Sequence, residues 1–388
     1  MISYTKFQCF LTLVLLCFVN LGYSAKILGL YEGDICRNVD GETSNYICRT
    51  LEKCSVAIGE LGEKINPPIC SYNGNTTIVC CPPEVSKSYS ASEMCRKYSE
   101  STYLNETNNF LKGNYLNEEY NRDCYEANPL ITSGTTAAEP KKFPHMALLG
   151  YGEKPDNTLW FCGGSLISNR FVLTAANCEK INAINPLYAK WVRLGELDYS
   201  SETDDAKPAD YKIVERIIHP NYKSPSLYND IALFRLERDV DFSAYVRPIC
   251  LNTDNILTPP AIMATGWGKS VSDQSLSPHL LEVRLNTISA EECDNRFSNV
   301  ANKKNKLAKG IDENSMVCTD NSKVGNSICK GYGGGPIQIK HNSYKCMYSQ
   351  IGIASFEGNI CGHEGSSAVF TRVSNYISWI ERIVWPQV

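Results

Sequence analysis

The chain has 388 residues, 43% of them hydrophobic and 21% charged, with a formal net charge of −4 and 18 cysteines. A mildly acidic balance gives no electrostatic footprint for nucleic acid, and cysteine at this density belongs to disulfides in an oxidising compartment rather than to metal. The five histidines (His145, His219, His279, His341 and His363) stand apart with no two at ligand spacing, so no zinc or other metal centre is expected.

At the start, Lys6 precedes the apolar run Phe10–Val19, and the small residues Gly22 and Ser24 suit a cleavage site. Residues 1–24 therefore read as a secretory signal peptide. The apolar run is shorter than the roughly 20 residues that span a bilayer, and no later stretch is apolar enough, so a soluble, secreted chain without membrane association is expected. Cys9 and Cys17 lie in the leader, which leaves an even number of cysteines. Asn75-Thr76-Thr77 and Asn105-Glu106-Thr107 are acceptor sequons for glycosylation at Asn75 and Asn105.

A small module follows over residues 35–81, with cysteines at 36, 48, 54, 70, 80 and 81. At this size it cannot bury enough core to fold unaided, and three internal disulfides supply the staple. Six cysteines allow 15 connectivities, among which spacing does not choose. Residues 82–130 read as a linker, with Pro82-Pro83, a serine-rich stretch and the polar run Asn105–Asn121.

From Ile131 to the end at residue 388, short apolar runs alternate with turn signals, as in an all-β fold. His145–Tyr151, Phe171–Ala175, Ile231–Leu236 and Gly352–Ser355 are such runs. The last segment, Val373–Trp385, sets Val373, Ile377, Ile380 and Val384 on one helical face.

Two motifs carry a resemblance. The stretch Cys329-Lys330-Gly331-Tyr332-Gly333-Gly334-Gly335-Pro336 resembles the Gly-Asp-Ser-Gly-Gly-Pro signature of chymotrypsin-fold serine proteases. The adjacent pair Cys80-Cys81, closing a set of six cysteines, resembles the clip domain of arthropod immune and developmental proteases. Together they imply an all-β, chymotrypsin-like double β-barrel with a C-terminal helix over residues 131–388, preceded by a small disulfide-knotted clip domain. The clip resemblance implies Cys36–Cys80, Cys48–Cys70 and Cys54–Cys81, and the barrel resemblance implies Cys162–Cys178, Cys293–Cys318 and Cys329–Cys361. In clip proteases a linker cysteine tethers to the catalytic domain. Here Cys95 and Cys124 both qualify, with Cys250 as the acceptor, and the leftover cysteine would pair with Cys346.

The resemblance also locates a degenerate triad. The family's Thr-Ala-Ala-His-Cys is here Thr174-Ala175-Ala176-Asn177-Cys178, Asp230 is kept in Asn229-Asp230-Ile231-Ala232-Leu233, and Gly333 stands at the serine position. An amide does not take a proton from an attacking hydroxyl near neutral pH as histidine does, and glycine has no nucleophile. The retained Asp230 is expected to serve as a buried hydrogen-bond acceptor to which Asn177 donates. Gly331 and Gly333 supply the remnant of an oxyanion hole.

In the family, cleavage after a basic residue frees an isoleucine amine that pairs with the aspartate before the serine. Leu130 precedes Ile131, and Tyr332 replaces the aspartate, so both ends of this activation pair are altered. Ser327 stands at the pocket base where trypsin-like members carry aspartate, while Glu357 and Ala368 fall where glycines are usual.

A basic loop, Lys303–Lys309, reads as a solvated face. The acidic loop 195–210 (Glu196, Asp198, Glu202, Asp204, Asp205) overlaps a segment where some relatives bind calcium, which clustered carboxylates could chelate, but an acidic loop is more often a solvated face, so no cofactor is expected. The resemblance thus points to a catalytically inactive homologue secreted into haemolymph, with clip-domain proteases, prophenoloxidase or related haemolymph proteins as partners. It would regulate cascades of melanisation or Toll signalling. The competing reading is an active serine endopeptidase with a substitute nucleophile such as Ser327, which lies badly placed below the site.

Overall fold

A computed structural model describes residues 28–37, 46–54, 57, 68–74, 76–81, 89–107, 135–181, 185–254, 259, 261–268, 276–298, 303–320, 332–357 and 367–386. The chain divides into two compact units, Met1–Val85 and Ser86–Val388. Residues 1–24, read as a signal peptide, lie outside the described residues, as do Asn75, Cys124, Leu130, Ile131, Ser327, Cys329, Gly331 and Cys361.

In the first unit, β1 (Ile35–Arg37), β2 (Tyr46–Thr50), β3 (Ile69–Asn73) and β4 (Thr76–Cys81) form one sheet in the order β1-β2-β4-β3. Disulfides Cys36–Cys80, Cys48–Cys70 and Cys54–Cys81 cross it. Cys48, Cys54 and Cys70 are fully buried, so sulfur takes the place of the aliphatic core that so short a sheet lacks. Each bridge is worth about 2–4 kcal/mol by restricting the unfolded chain.

The second unit contains two closed six-stranded barrels. Its strands run in chain order as β5 (Thr135–Ala137), β6 (Met146–Tyr151), β7 (Leu159–Leu166), β8 (Phe171–Thr174), β9 (Lys180–Ile181), β10 (Leu187–Tyr188), β11 (Trp191–Leu194), β12 (Ala209–Ile218) and β13 (Ala232–Leu236). Then come β14 (Cys250–Leu251), β15 (Ala261–Gly266), β16 (Leu281–Ile288), β17 (Met316–Asp320), β18 (Pro336–Lys340), β19 (Tyr348–Glu357) and β20 (Ser367–Arg372). The first barrel closes as β11-β12-β13-β8-β7-β6. The second runs β19-β18-β15-β16-β17-β20 and is closed by β19–β20 pairing.

Alternation explains the strands. In β16, Leu281, Val283 and Leu285 are buried while Glu282, Arg284 and Asn286 face outward, the period-2 pattern of a sheet with one wet face. A polar seam joins the barrels: His145 Nε2 lies 2.7 Å from Gln338 Oε1, and Ser165 Oγ donates to Gln350 Oε1 at 2.6 Å. Burial pushes the His145 imidazole down to about 3, so it is neutral in the fold.

The segment read as a linker holds one regular element. Residues Ala91–Thr107 form a helix that belongs to the second unit. Glu93 accepts from the Ser90 N–H and hydroxyl, while the Glu93 N–H donates back to Ser90 Oγ, a reciprocal capping box that low apolar periodicity concealed. The helix is fastened by Cys95–Cys250. Trp385 Nε1 donates to Tyr98 Oη at 3.0 Å, and the Ala91 N–H donates to Glu381 at 2.7 Å. Asn105 falls within this helix. Cys346 is also disulfide-bonded. Cys162–Cys178 and Cys293–Cys318 are formed in the barrels.

The chain ends in a 3-10 turn, Val373–Tyr376, before the helix Ile377–Val384, so the α-helix starts four residues later than its apolar stripe. Val373, Ile380 and Val384 are buried and Ile377 is half-buried. Among the described residues no helix is long and apolar enough to cross a membrane.

Candidate functional site

The site lies where the end of β8 from one barrel meets β19 from the other. A 3-10 turn, Ala176–Glu179, follows β8 and carries Asn177, while the Cys162–Cys178 bridge pins the turn to β7. Asp230 enters β13 from Asn229, whose φ of 56° is left-handed, a conformation asparagine tolerates better than most residues.

Asp230 is fully buried, and four donors surround its carboxylate. The Asn177 N–H reaches Oδ1 at 2.8 Å and Asn177 Nδ2 reaches Oδ2 at 2.7 Å, joined by the Ser355 hydroxyl and the Ala176 N–H. Desolvation pushes the carboxyl up to about 6, against the pull of the hydrogen bonds from Ser355, Asn177 and Ala176. Asn177 Nδ2 also donates to the Ser355 carbonyl at 2.9 Å. With its nitrogen committed to donation, the amide offers no base.

Gly333 follows Tyr332 in the turn leading to β18, and its carbonyl accepts from the Gly163 N–H at 2.8 Å. Among the described residues, a Cβ built there would meet only the sulfurs of Cys162 and Cys178, both at 3.9 Å, so a side chain has room. Gly334 differs. Its φ is 79°, and a Cβ would come within 2.3 Å of Thr174 Oγ1 and 2.4 Å of the Gly163 carbonyl, so glycine is required.

Asn177 and Gly333 share a cleft of about 390 Å³ with Phe161, Ile181, Tyr332, Ser355, Phe356 and Glu357, among others. Glu357 stands opposite Ala368 across the β19–β20 ladder, which places the two residues read as pocket-wall substitutions side by side. The structure therefore brings Asn177, Asp230 and Gly333 together.

Tyr332 is 1% exposed and packs with Ile262, Ala264, Val283 and Phe370 in the second barrel. Its ring lies against the backbones of Gly266 and Gly268, where a Cβ would fall 2.7 Å and 2.0 Å from ring atoms. Among the described residues its hydroxyl finds no hydrogen-bond partner, and burial raises its pKa strongly.

Sequence reasoning missed Ser355, which donates its hydroxyl to Asp230 and offers its carbonyl to Asn177. A serine inside an apolar strand run, Gly352–Ser355, was the available signal. It also missed Phe161 and Ile181 as cleft walls.

The acidic loop does not converge on one point. Asp198 accepts from Ser200 and faces His279, Asp205 accepts from Tyr245, and Glu196 accepts from the Leu197 N–H. The two clusters of metal-type atoms among the described residues, Cys36/Cys48/Cys70 and Cys95/Cys250/His341, are built on cysteines already in disulfides. In the basic loop the Lys306 carbonyl accepts from the Leu227 N–H, and the Lys309 N–H donates to Tyr228 Oη.

Two six-stranded barrels flanking a cleft that holds a buried aspartate define the chymotrypsin-like serine protease fold. Residues 132–380 match the family model described as Trypsin. The chain is 33% identical over 374 residues to Serine protease snk of Drosophila melanogaster, covering 92% of this chain and 80% of that protein. It is 29% identical over 376 residues to Phenoloxidase-activating factor 1 of Holotrichia diomphalia (90% and 93% covered). With CLIP domain-containing serine protease HP8 of Bombyx mori the identity is 31% over 374 residues (89% and 94%). The chain belongs to the trypsin family, among its clip-domain members.

Proposed function

We propose that this chain is a secreted, non-catalytic clip-domain serine protease homologue that regulates an extracellular immune protease cascade as a cofactor. One observation carries the reading: the position beside Asp230 holds the amide of Asn177, and the reacting position holds Gly333, which has no side chain. Acyl transfer needs a nucleophile and a group that takes its proton, and neither is supplied. Ser355, the serine in the cleft, is engaged as a donor to Asp230, and a carboxyl with a pKa near 6 is too weak a base to ionise an alcohol. What persists over water without a triad is roughly 10³–10⁴-fold, negligible for peptide hydrolysis.

The place in a cascade rests on kinship. Similar proteins include one named for activating phenoloxidase, and another is Melanization protease 1 of Drosophila melanogaster. Partners are then clip-domain proteases or a prophenoloxidase-type proenzyme in the extracellular fluid. The clip module is proposed to span residues 35–81, and the function is proposed to need no cofactor.

A reconstituted assay tests the function. With an active clip-domain protease and its proenzyme, adding the purified chain should change the yield of active product, while chain plus proenzyme alone should yield none. Product from that pair without the protease would overturn the reading.

A further inference from the structure

A second recess, of about 780 Å³, shares no lining residue with the cleft. One wall is the segment between β12 and β13, which contributes Asn221, Lys223, Tyr228 and Asn229. The facing wall comes from residue 309 and residues 311–315, ahead of β17. Asn375, in the turn before the last helix, makes a fourth asparagine in the lining with Asn221, Asn229 and Asn314.

Both walls are held in place by hydrogen bonds of their own. Asn229 Nδ2 donates to the Asn221 carbonyl at 3.3 Å, and Asn229 Oδ1 accepts from Tyr376 Oη at 3.1 Å. Tyr228 Oη donates to the Gly310 carbonyl at 2.7 Å and accepts from the Lys309 N–H at 2.8 Å, which ties one wall to the other. Asp312 accepts from the Asn314 N–H and the Ser315 hydroxyl, while Arg372 Nε donates to the Glu313 carbonyl. Asn221, Asn314 and Asn375 are exposed, and among the described residues the Asn221 side-chain amide has no partner. The recess is therefore preformed, and polar groups on its surface still face water.

The lining narrows the class of ligand. Its charged residues are Lys223 and Lys309 against Asp312 and Glu313, two of each sign, so it presents no net field to a polyanion or polycation. None of the lining residues lies in a strand, so no strand edge is offered to an extended peptide. Its volume suits a small ligand, but such sites are mostly apolar, and here Ala290, Ile311 and the Tyr228 ring supply the apolar side chains. What remains is a set of amides, each able to donate through nitrogen and accept through oxygen. Neighbouring hydroxyls on a sugar ring need that pairing, and the half-buried Tyr228 ring beside Ile311 can cover the C–H face of the same sugar. The geometry points to a binding site for an uncharged oligosaccharide, either carried by a glycoprotein or part of a free polysaccharide. Because the site is separate from the cleft, it stands whether or not the cleft is catalytic.

Titration calorimetry of the full chain tests this with mannotriose, maltotriose and tri-N-acetylglucosamine, and with a sulfated heparin tetrasaccharide as the charged comparison. At least one neutral trisaccharide should bind with a Kd of about 1 mM or tighter, at least tenfold better than the sulfated probe. Asn221→Ala combined with Asn314→Ala, both at exposed positions, should weaken that binding about tenfold. Asn157→Ala, at an exposed asparagine outside the lining, should leave it unchanged. Ribonuclease B, which carries a neutral mannose-rich chain, set against unglycosylated ribonuclease A separates the two sources. A preference for the glycosylated form assigns the site to glycoprotein glycans, and a bound trisaccharide without that preference assigns it to a polysaccharide. Failure of every neutral probe to bind, tightest binding by the sulfated probe, or binding untouched by the double variant overturns the inference and leaves the non-catalytic reading standing.

Discussion

The side-chain nitrogen of Asn177 lies 2.7 Å from Asp230 Oδ2 and 2.9 Å from the carbonyl oxygen of Ser355, so one amide from the first barrel holds a buried carboxylate and the second barrel's β19 at once. Asn177→Ala deletes two of these bonds and leaves Asp230 buried with fewer donors. It should cost about 1–3 kcal/mol, read as a lower urea midpoint with unchanged slope. Asn177→His keeps a donor for Asp230 and should recover most of that loss.

Asp230 makes stability depend on pH in a defined direction. Its carboxyl titrates near 6 in the fold against 3.8 for an ordinary aspartate, so between these values the folded chain holds a proton that the unfolded chain has released. Stability from this group is complete below pH 4 and is lost as pH rises through 6. The stability of wild type minus Asp230→Asn should therefore fall between pH 4 and pH 7, by about 3 kcal/mol if the full shift is expressed. A constant difference across that range would show that Asp230 titrates normally.

Gly333 and Gly334 are neighbours with opposite tolerances. Gly333→Ser places its Cβ 3.9 Å from two sulfurs, an ordinary contact, and should leave the melting temperature nearly unchanged. Gly334→Ala drives a methyl into Thr174 and the Gly163 carbonyl at a φ of 79°. It should cost more than about 2 kcal/mol, measured by chemical denaturation.

Tyr332 carries two expectations. Its buried hydroxyl finds no partner among the described residues, so Tyr332→Phe should be neutral or stabilising by about 1 kcal/mol. Its ring occupies the space between Gly266 and Gly268, where it offers no carboxylate to a buried amine. Asn177→His with Gly333→Ser should thus remain near-inactive toward peptide amides. Adding Tyr332→Asp and Leu130→Arg, followed by cleavage after residue 130, should raise the rate. Robust turnover by the double variant alone would refute the requirement for these two further changes.

The double barrel was legible because the Gly-rich turn, the Asn229–Leu233 segment and the Thr174–Cys178 segment each stand in a distinctive local pattern, and the structure bears the fold out. The 3-10 turn at Val373–Tyr376 was not legible: its apolar residues serve the helical stripe equally well, and only backbone hydrogen bonding separates the two. The helix at Ala91–Thr107 was hidden because its apolar face is short, Ala91, Met94, Cys95 and Tyr98, and a disulfide, a capping box and two anchoring hydrogen bonds complete its anchorage. Ser355 was invisible for a related reason. Its role arises from the meeting of β19 with a residue 178 positions away in sequence, which no local pattern encodes.

The central claim, that the cleft lacks a working nucleophile, is tested most directly by incubating the purified chain with a fluorophosphonate serine probe and locating any adduct by mass spectrometry. Trypsin treated in parallel should label stoichiometrically, and this chain should remain unlabelled. Stoichiometric modification of any serine here, at Ser355 or Ser327 above all, would contradict the account.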